Sequence, residues 1–240
     1  MRRFVVLVLL LFCVLSARAQ ENLDSLLIAD TIRTDRFMPT GIRMGTDVVS
    51  IVRSQINDNF SGWEVNGDID LHRYILSADF GSWSRNFSTD SASYSSMYRN
   101  DGRYWRVGLD ANFLTRDPER NAFFLGLRHG RSKYSEKMSL VATDSIWGSA
   151  VNNYTSNDAK ARWWELTAGL KVKMWKFIWM GYTGSLKFGL KNDENAPILS
   201  HDVPGYGRTD RDTAWGFTYQ IFFRIPFRPV TSILPPKKKK

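Results

Sequence analysis

The segment that most constrains the fold runs from Thr213 to Phe227 and reads TAWGFTYQIFFRIPF. Alternate positions, from Trp215 onward, are apolar and mostly aromatic, whereas the residues between them are small or polar apart from Phe222. Side chains on a strand alternate between its two faces, so this period of two predicts a β-strand. The segment exceeds the roughly 9–11 residues that a tilted strand needs to cross a bilayer. Its continuous aromatic face is typical of a strand that meets lipid.

Seven earlier segments carry related alternating patterns. They begin at Ile42, Trp63, Tyr74, Trp105, Phe123, Trp164 and Ile178. The first, IRMGTDVVSIVRS, is mixed, and we expect Val48 and Val52 to face outward and Arg43 and Asp47 inward. The others place apolar residues on one face and polar or small ones on the other, so the sequence predicts eight strands in all.

The connections between these strands alternate in length. The short ones lie at His72-Arg73, at TRDPERN and around Lys176, and the long ones span about 86–101, 136–160 and 192–212. The first hairpin loop, near Asn57, is the exception. Outer-membrane barrels combine an even strand count with short periplasmic turns and long external loops. The fold class is therefore predicted to be all-β, an eight-stranded antiparallel transmembrane β-barrel with this arrangement of turns and loops.

The N-terminus predicts export. Two arginines precede an apolar run that is too short to span a bilayer, and Ala17-Arg18-Ala19 fits the small-x-small cleavage rule. We therefore expect a signal peptide over 1–19, a periplasmic lead over 20–40, the barrel over 41–227 and a periplasmic basic tail over 228–240. Cys13 lies inside the signal and is the sole cysteine, so disulfides, thiol catalysis and cysteine-bound metals are not expected in the mature chain.

The charge of the chain is concentrated at its ends. The formal net charge of +9 falls to +2 when the three arginines of the signal and the four lysines Lys237, Lys238, Lys239 and Lys240 are set aside. A nucleic-acid-binding protein would need a basic patch on its folded surface, so no nucleic-acid partner is expected. The Lys tail is a candidate contact for an anionic surface or another envelope protein.

The inward faces of the predicted strands carry a balanced set of charges. Seven acids and seven bases are expected inside, and they are Asp47, Glu64, Asp68, Asp70, Asp79, Asp110, Glu165, Arg43, Arg106, Arg128, Lys171, Lys173, Lys187 and Arg224. An eight-stranded lumen is just wide enough to be filled by side chains, and buried charges need partners. The sequence therefore predicts a polar plug, with a narrow ion path as the alternative.

The outward faces are predicted to supply the lipid contacts and the aromatic girdles of the barrel. The residues expected there are Trp63, Tyr74, Trp105, Phe113, Phe123, Trp164, Phe188, Trp215, Phe217, Tyr219 and Phe227. The expected partners are accordingly outer-membrane lipid and, through the tail, a second envelope protein.

With these features the chain resembles the small eight-stranded outer-membrane barrels of the OmpA/OmpX type. The resemblance covers Gly41 to Phe227 and rests on architecture rather than on a motif. The chain differs from this type after its last strand. Many such proteins stop on the last aromatic residue of that strand, whereas thirteen residues follow Phe227 here. Proteins of this type include adhesion, lipid-modifying, structural and assembly-accessory members, so the resemblance implies a fold and leaves the function open.

Three functions therefore stay open. The leading expectation is a non-enzymatic structural or accessory component of an envelope complex, and the first alternative is a surface-binding barrel that uses its Ser-, Tyr- and Asn-rich external loops. A lipid-modifying enzyme is the second alternative. Its candidate residues are His129, Ser132 and Glu136, or His201, Ser200 and Asp202, but no compact nucleophile motif is present. No catalytic residue, cofactor or metal is predicted.

Overall fold

The computed structural model describes residues 39–91, 94–115, 117, 119–144, 148–192 and 199–227. The predicted signal peptide, residues 20–38 of the predicted lead, and the basic tail with its four lysines lie outside the described residues. Ten strands and one helix follow in chain order: β1 (Gly41–Asp47), α1 (Val48–Ile56), β2 (Phe60–Leu71), β3 (Tyr74–Asp90), β4 (Tyr94–Asn112), β5 (Ala122–Asp144), β6 (Gly148–Trp175), β7 (Ile178–Asn192), β8 (Asp202–Val203), β9 (Gly207–Arg208) and β10 (Thr213–Pro226).

Eight of the strands close into a single antiparallel barrel. The order around the ring is β1-β10-β7-β6-β5-β4-β3-β2, and the ring closes between β1 and β2. Strands β8 and β9 form a separate small hairpin within the connection from β7 to β10. The predicted fold class is confirmed.

The outside of the barrel is apolar over the height of a membrane. On β6 the lipid-facing side chains run from Trp164 to Met174 while the residues between them are mostly buried. This stretch rises about 33 Å along the strand and about 25 Å along the barrel axis at the usual tilt, which matches the apolar band of transmembrane barrels. The barrel is therefore of the transmembrane type, with its polar face inside.

The eleven predicted girdle residues all have exposed or half-buried side chains. Trp63, Phe80, Trp105 and Trp164 mark one edge of the apolar belt, and Tyr74, Phe113 and Phe123 mark the other, with Phe113 and Phe123 packed 5.9 Å apart. Phe188, Trp215, Phe217, Tyr219 and Phe227 lie on β7, on β10 and at its end. Aromatic rings at both edges of the belt are the usual arrangement in barrels that cross a bilayer.

The short turns all lie at one end of the barrel. They connect β2 to β3, β4 to β5 and β6 to β7, and the start of β1 and the end of β10 lie at the same end, where Gly41 pairs with Asp70 and Pro226. His72 adopts a φ of 68° in the two-residue turn from β2 to β3, and the Asp70 carboxylate accepts its backbone N–H at 3.0 Å. This is the end that the sequence assigns to the periplasm.

The prediction for the first strand is wrong after Asp47. The residues from Val48 onward form the helix α1, because the Asp47 carboxylate caps it by accepting the backbone N–H groups of Val49 at 3.1 Å and Ser50 at 3.2 Å. This helix also means that the connection near Asn57 is long, so the apparent exception in the loop lengths disappears. No helix among the described residues is long and apolar enough to cross a membrane.

Two of the predicted long loops are instead continuations of the strands. The hairpin of β3 and β4 stays paired out to Asp90 and Ser95, and that of β5 and β6 stays paired out to Asp144 and Gly148. These extensions lie above the belt and carry many polar residues on both faces beside a few exposed apolar ones, so their composition resembles that of a loop. The barrel wall therefore projects far beyond the membrane on its outer side.

Candidate functional site

The lumen of the barrel is filled by paired charges. Thirteen of the fourteen charged residues predicted to face inward are buried, namely Arg43, Asp47, Glu64, Asp68, Asp70, Asp79, Arg106, Asp110, Arg128, Glu165, Lys171, Lys187 and Arg224. Lys173 is only half-buried. Alternation along the strands accounts for these positions, because every second residue of a barrel strand faces inward.

Two arginines join the upper part of the network through a shared carboxylate. Arg128 lies 2.8 Å from Asp79 and 3.1 Å from Asp110. Arg106 lies 3.3 Å from the same Asp79 and 2.5 Å from Glu64. Because each charge has a partner, the cost of burying it is offset by its neighbours.

Nearer the turn end, Asp68 accepts from Arg43 at 2.7 Å and from Lys171 at 2.7 Å. Arg224 lies 3.0 Å from Asp70. Two of these bridges cross the lumen between strands that are not neighbours in the ring, from Lys171 on β6 to Asp68 on β2 and from Arg224 on β10 to Asp70 on β2, whereas Arg43 lies on the neighbouring strand β1. They therefore close the lumen as well as line it.

Aromatic side chains complete this plug, and the alternation pattern pointed to one of them. Phe222 is the apolar exception on the inner face of β10, and it is buried with Trp179 and Phe124. The Lys171 ammonium lies 4.9 Å from the Phe124 ring and 5.2 Å from the Phe222 ring, and Arg43 lies 5.4 Å from the Trp179 ring. Cations against aromatic faces are stabilised when shielded from water.

The outer half of the barrel has a gap in its wall. β10 pairs with β1 only from Gln220 onward, and β2 pairs with β1 only from Val65 onward. Helix α1 occupies the space that a longer β1 would fill. On the β2 side the Ser54 hydroxyl donates to the Gly62 carbonyl at 2.8 Å and accepts the Gly62 N–H at 2.7 Å.

On the β10 side no backbone hydrogen bond of the described residues joins the helix to the strand edge. The Tyr219 N–H donates to the Asp47 carboxylate at 3.1 Å. Backbone groups alternate sides along an antiparallel strand, so those of Phe217 and Trp215 point toward the same gap, where the described chain supplies no strand partner. Unpaired backbone at membrane depth is tolerated only where it is buried in protein or lines a water-filled cavity.

A cavity of 520 Å³ lies behind this gap, and we call it the outer vestibule. Its floor is the top of the plug, with Glu64, Tyr104, Arg106 and Lys187; its outer rim carries Arg53, Arg85, Arg208 and Arg211; and its lateral side is bounded by Val49, Trp215 and Phe217. The volume falls within the range of small-molecule sites. The vestibule is therefore lined by the charged floor, by a cationic outer rim and by side chains of the lipid-facing surface.

Lys187 is the floor residue whose charge is least compensated. Its ammonium donates to the backbone carbonyls of Gly205 at 2.6 Å and Tyr206 at 3.1 Å. No carboxylate of the described residues lies within 4.0 Å of it, in contrast to Arg106 and Lys171. A buried cation that has only neutral acceptors favours an anion beside it.

The segment from Ser200 to Asp212 folds back into the barrel mouth and forms the wall of the vestibule opposite the gap. Val203 and Tyr206 are buried, and the Trp163 and Tyr206 rings pack edge to face at 5.8 Å. Asp202 forms an ion pair with Arg85. This closure has no local signature in the sequence, because the contacts join residues far apart in the chain.

The structure does not assemble either candidate catalytic set. His129 faces outward, with its ring 4.9 Å from Trp164, whereas Ser132 and Glu136 face inward. In the second set the His201 ring packs 5.2 Å from Phe87, while Ser200 and Asp202 bind other partners, the Ser200 hydroxyl lying 2.7 Å from that of Tyr134. Among the described residues no group of three His, Cys, Asp or Glu is arranged to hold a metal ion.

Two carboxyl groups of this mouth region, above the membrane belt, have shifted pKa values. Burial raises the pKa of Glu136 above its ordinary 4.5, against the opposing hydrogen bonds from Tyr98 and Ser200. Burial also raises the pKa of Asp202, which the positive charge of Arg85 opposes. Protonation of these groups is therefore coupled to the packing of the mouth.

Comparison with known proteins adds a family but no function. A search of curated proteins found no significant match. The crystal structure of CarO2 from Acinetobacter baumannii is similar over 79% of this chain and 99% of that chain, with 9% sequence identity and a TM-score of 0.37, and a likeness this distant supports no functional inference. The family described as a domain of unknown function, DUF6048, matches residues 1–229. The chain therefore belongs to the DUF6048 family.

Proposed function

We propose that this protein is a non-enzymatic outer-membrane barrel whose outer vestibule binds an anionic amphiphile. The observation that carries the proposal is the gap between α1 and β10, which connects the lipid-facing side chains Trp215 and Phe217 with the buried cations Arg106 and Lys187 in one cavity. An amphiphile entering from the membrane would keep its chain at the gap and bring its head group to the floor.

Placement in the outer membrane is part of the proposal. The predicted signal peptide directs the chain out of the cytoplasm, and barrels with an apolar band, two aromatic girdles and short turns at one end are found in outer membranes. The apolar belt and the short turns described above support this placement.

The charge balance of the vestibule supports an anionic ligand. Six bases line it, against the three acids Asp47, Glu64 and Asp210. Each of these acids is already engaged: Asp47 caps α1, Glu64 binds Arg106 and Asp210 lies 3.3 Å from Arg208. The remaining cations, above all Lys187, would attract a phosphate or carboxylate.

The first test narrows the gap. Val49 lines the vestibule, whereas Val52, one turn along the same helix, does not. We expect Val49→Trp to weaken the binding of dodecyl phosphate to the reconstituted protein at least tenfold and Val52→Trp to leave it unchanged. Equal binding by both variants and the parent would contradict the proposal.

The second test removes the charge. Lys187→Gln keeps a hydrogen-bond donor for the Gly205 and Tyr206 carbonyls, so the variant is expected to fold, which the heat-dependent shift in gel mobility checks. It should lose affinity for dodecyl phosphate but not for dodecyl maltoside. Lys173→Gln, at the far end of the lumen, is the matched control. If Lys187→Gln also lost affinity for the neutral dodecyl maltoside, the substitution would have disrupted the cavity, and the result would contradict charge recognition.

An accessory role in an envelope complex stays a prediction beside this one. It rests on the tail lysines, Lys237 to Lys240, which lie outside the described residues. Mass spectrometry of the native protein extracted in mild detergent tests it: a stable set of co-purifying envelope proteins that is lost on deletion of the four lysines would support it, and a lone monomer would oppose it.

A further inference from the structure

A basic patch lies on the outside of the barrel directly above the aromatic girdle. On β4 to β6 the outward residues Trp105, His129 and Trp164 end the apolar belt. Beyond these residues, away from the belt, cations occupy the next one or two outward positions of each strand. The members of this patch are Arg103, Arg131, Lys133, Lys160, Arg162 and Lys191, all exposed.

The strand register places these like charges side by side. Arg103 is directly opposite Lys133, which is opposite Lys160 on the next strand. In the neighbouring row Arg131 is opposite Arg162, which is opposite Lys191. Like charges directly opposite one another destabilise a sheet, so two such rows across four strands need an external partner.

The chain itself supplies little compensation. Asp158 lies 2.8 Å from Lys133 and 3.5 Å from Lys160, but all three groups are exposed to water, where such pairs contribute little. Asp101, also outward on β4, makes no ion pair with the patch. No carboxylate of the described residues lies within 4.0 Å of the four remaining cations.

The patch also has a concave site. A cavity of 290 Å³ lies between β3, β4, β5 and β6. Phe80 and Trp105 line its membrane side, and Arg103, Arg131, Lys133 and Lys160 line its aqueous side. Aromatic residues below and cations above match a molecule with an apolar body in the belt and an anionic group at the head-group level.

We propose that this patch binds the phosphate groups of lipids in the outer leaflet. The position favours lipid over a soluble anion because the cations begin where the apolar belt ends. The positive charge of the patch also disfavours a second copy of this chain as the partner, because two such surfaces repel each other. The inference rests on the outer-membrane placement proposed above, but not on the vestibule, which opens on the opposite side of the ring, between α1 and β10.

The test uses the full chain in nanodiscs of phosphatidylcholine that contain a bisphosphorylated glycolipid. Retained glycolipid per barrel is counted by native mass spectrometry for the parent and for the triple variant Arg131→Gln, Lys133→Gln and Arg162→Gln. The control is Arg73→Gln with Lys176→Gln, two exposed cations in the turns at the opposite end. Heat-dependent gel mobility checks that each variant is folded.

We expect the triple variant to retain at least tenfold less glycolipid than the parent and the control to retain as much as the parent. The dephosphorylated glycolipid should be retained weakly by all three proteins. Retention that survives the triple substitution, or that is equal for the dephosphorylated lipid, would overturn the proposal. So would tight binding of inorganic phosphate alone in detergent, because it would make the patch a soluble-anion site. The part of dodecyl phosphate binding that is lost on Lys187→Gln should be the same in the triple variant as in the parent, so failure of either proposal is seen separately.

Discussion

Replacing Asp47 tests how the gap in the barrel wall is held. Its carboxylate accepts four hydrogen bonds: the N–H groups of Val49, Ser50 and Tyr219, and the Ser50 hydroxyl at 2.6 Å. One residue therefore caps α1 and fastens it to β10. Loss of an N-cap costs about 1 kcal/mol, and loss of a hydrogen bond to a charged acceptor about 1.5–3 kcal/mol.

We therefore expect Asp47→Ala to destabilise the seated helix by about 2–4 kcal/mol, which corresponds to about 30- to 1000-fold more frequent opening. Hydrogen exchange of residues 48–56 in the reconstituted protein measures this directly. Asp47→Asn is the matched control, because asparagine is an equally good N-cap and its amide oxygen can still accept from Tyr219. If residues 48–56 exchanged at the same rate in Asp47→Ala as in the parent, the proposed role of Asp47 at the gap would be refuted.

Two further predictions concern the plug and the mouth. Arg128→Met should lower the free energy of unfolding by about 3–5 kcal/mol, because it leaves Asp79 and Asp110 short of their shared partner in a buried site; urea unfolding in micelles measures it, and a loss below about 1 kcal/mol would contradict the account. The raised pKa values of Glu136 and Asp202 mean that the folded mouth holds protons more tightly than the unfolded chain, so its stability is fullest below their ordinary pKa values and falls as pH rises through the raised ones. The protection factors for hydrogen exchange of residues 199–212, which remove the chemical pH dependence of exchange, should therefore be larger near pH 4 than near pH 8, and Glu136→Gln should reduce that difference; protection factors that rise with pH would contradict this prediction.

The barrel was predictable from the sequence because its main signal is local. Trp105 and Arg106 go to opposite faces through the geometry of the strand alone, and the same alternation holds around the ring. The helix was not predictable in this way, because the run from Val48 to Ile56 is β-branched and apolar enough to read as a strand. Its conformation depends on the cap at Asp47 and on the space left by a short β1.

The vestibule could not be predicted because it results from contacts between distant residues. Lys187 looks like any inward lysine in the sequence, and its lack of a carboxylate partner emerges only when the segment carrying Gly205 and Tyr206 folds over it. The basic patch was present in the sequence as scattered arginines and lysines. Only the register of the strands shows that Arg131 and Arg162 are neighbours.

A sealed lumen beneath an open outer vestibule makes two inward positions of the barrel differ in their access to water. One inward serine lies in each region. Ser185 lines the vestibule, and Ser77 is buried in the plug on β3. In a Cys13→Ser background, Ser185→Cys and Ser77→Cys can each be treated on intact cells with a charged, membrane-impermeant thiol reagent. The account predicts rapid labelling at residue 185 and none at residue 77. Labelling at both positions would reveal an open pore, and labelling at neither would show that the vestibule is closed.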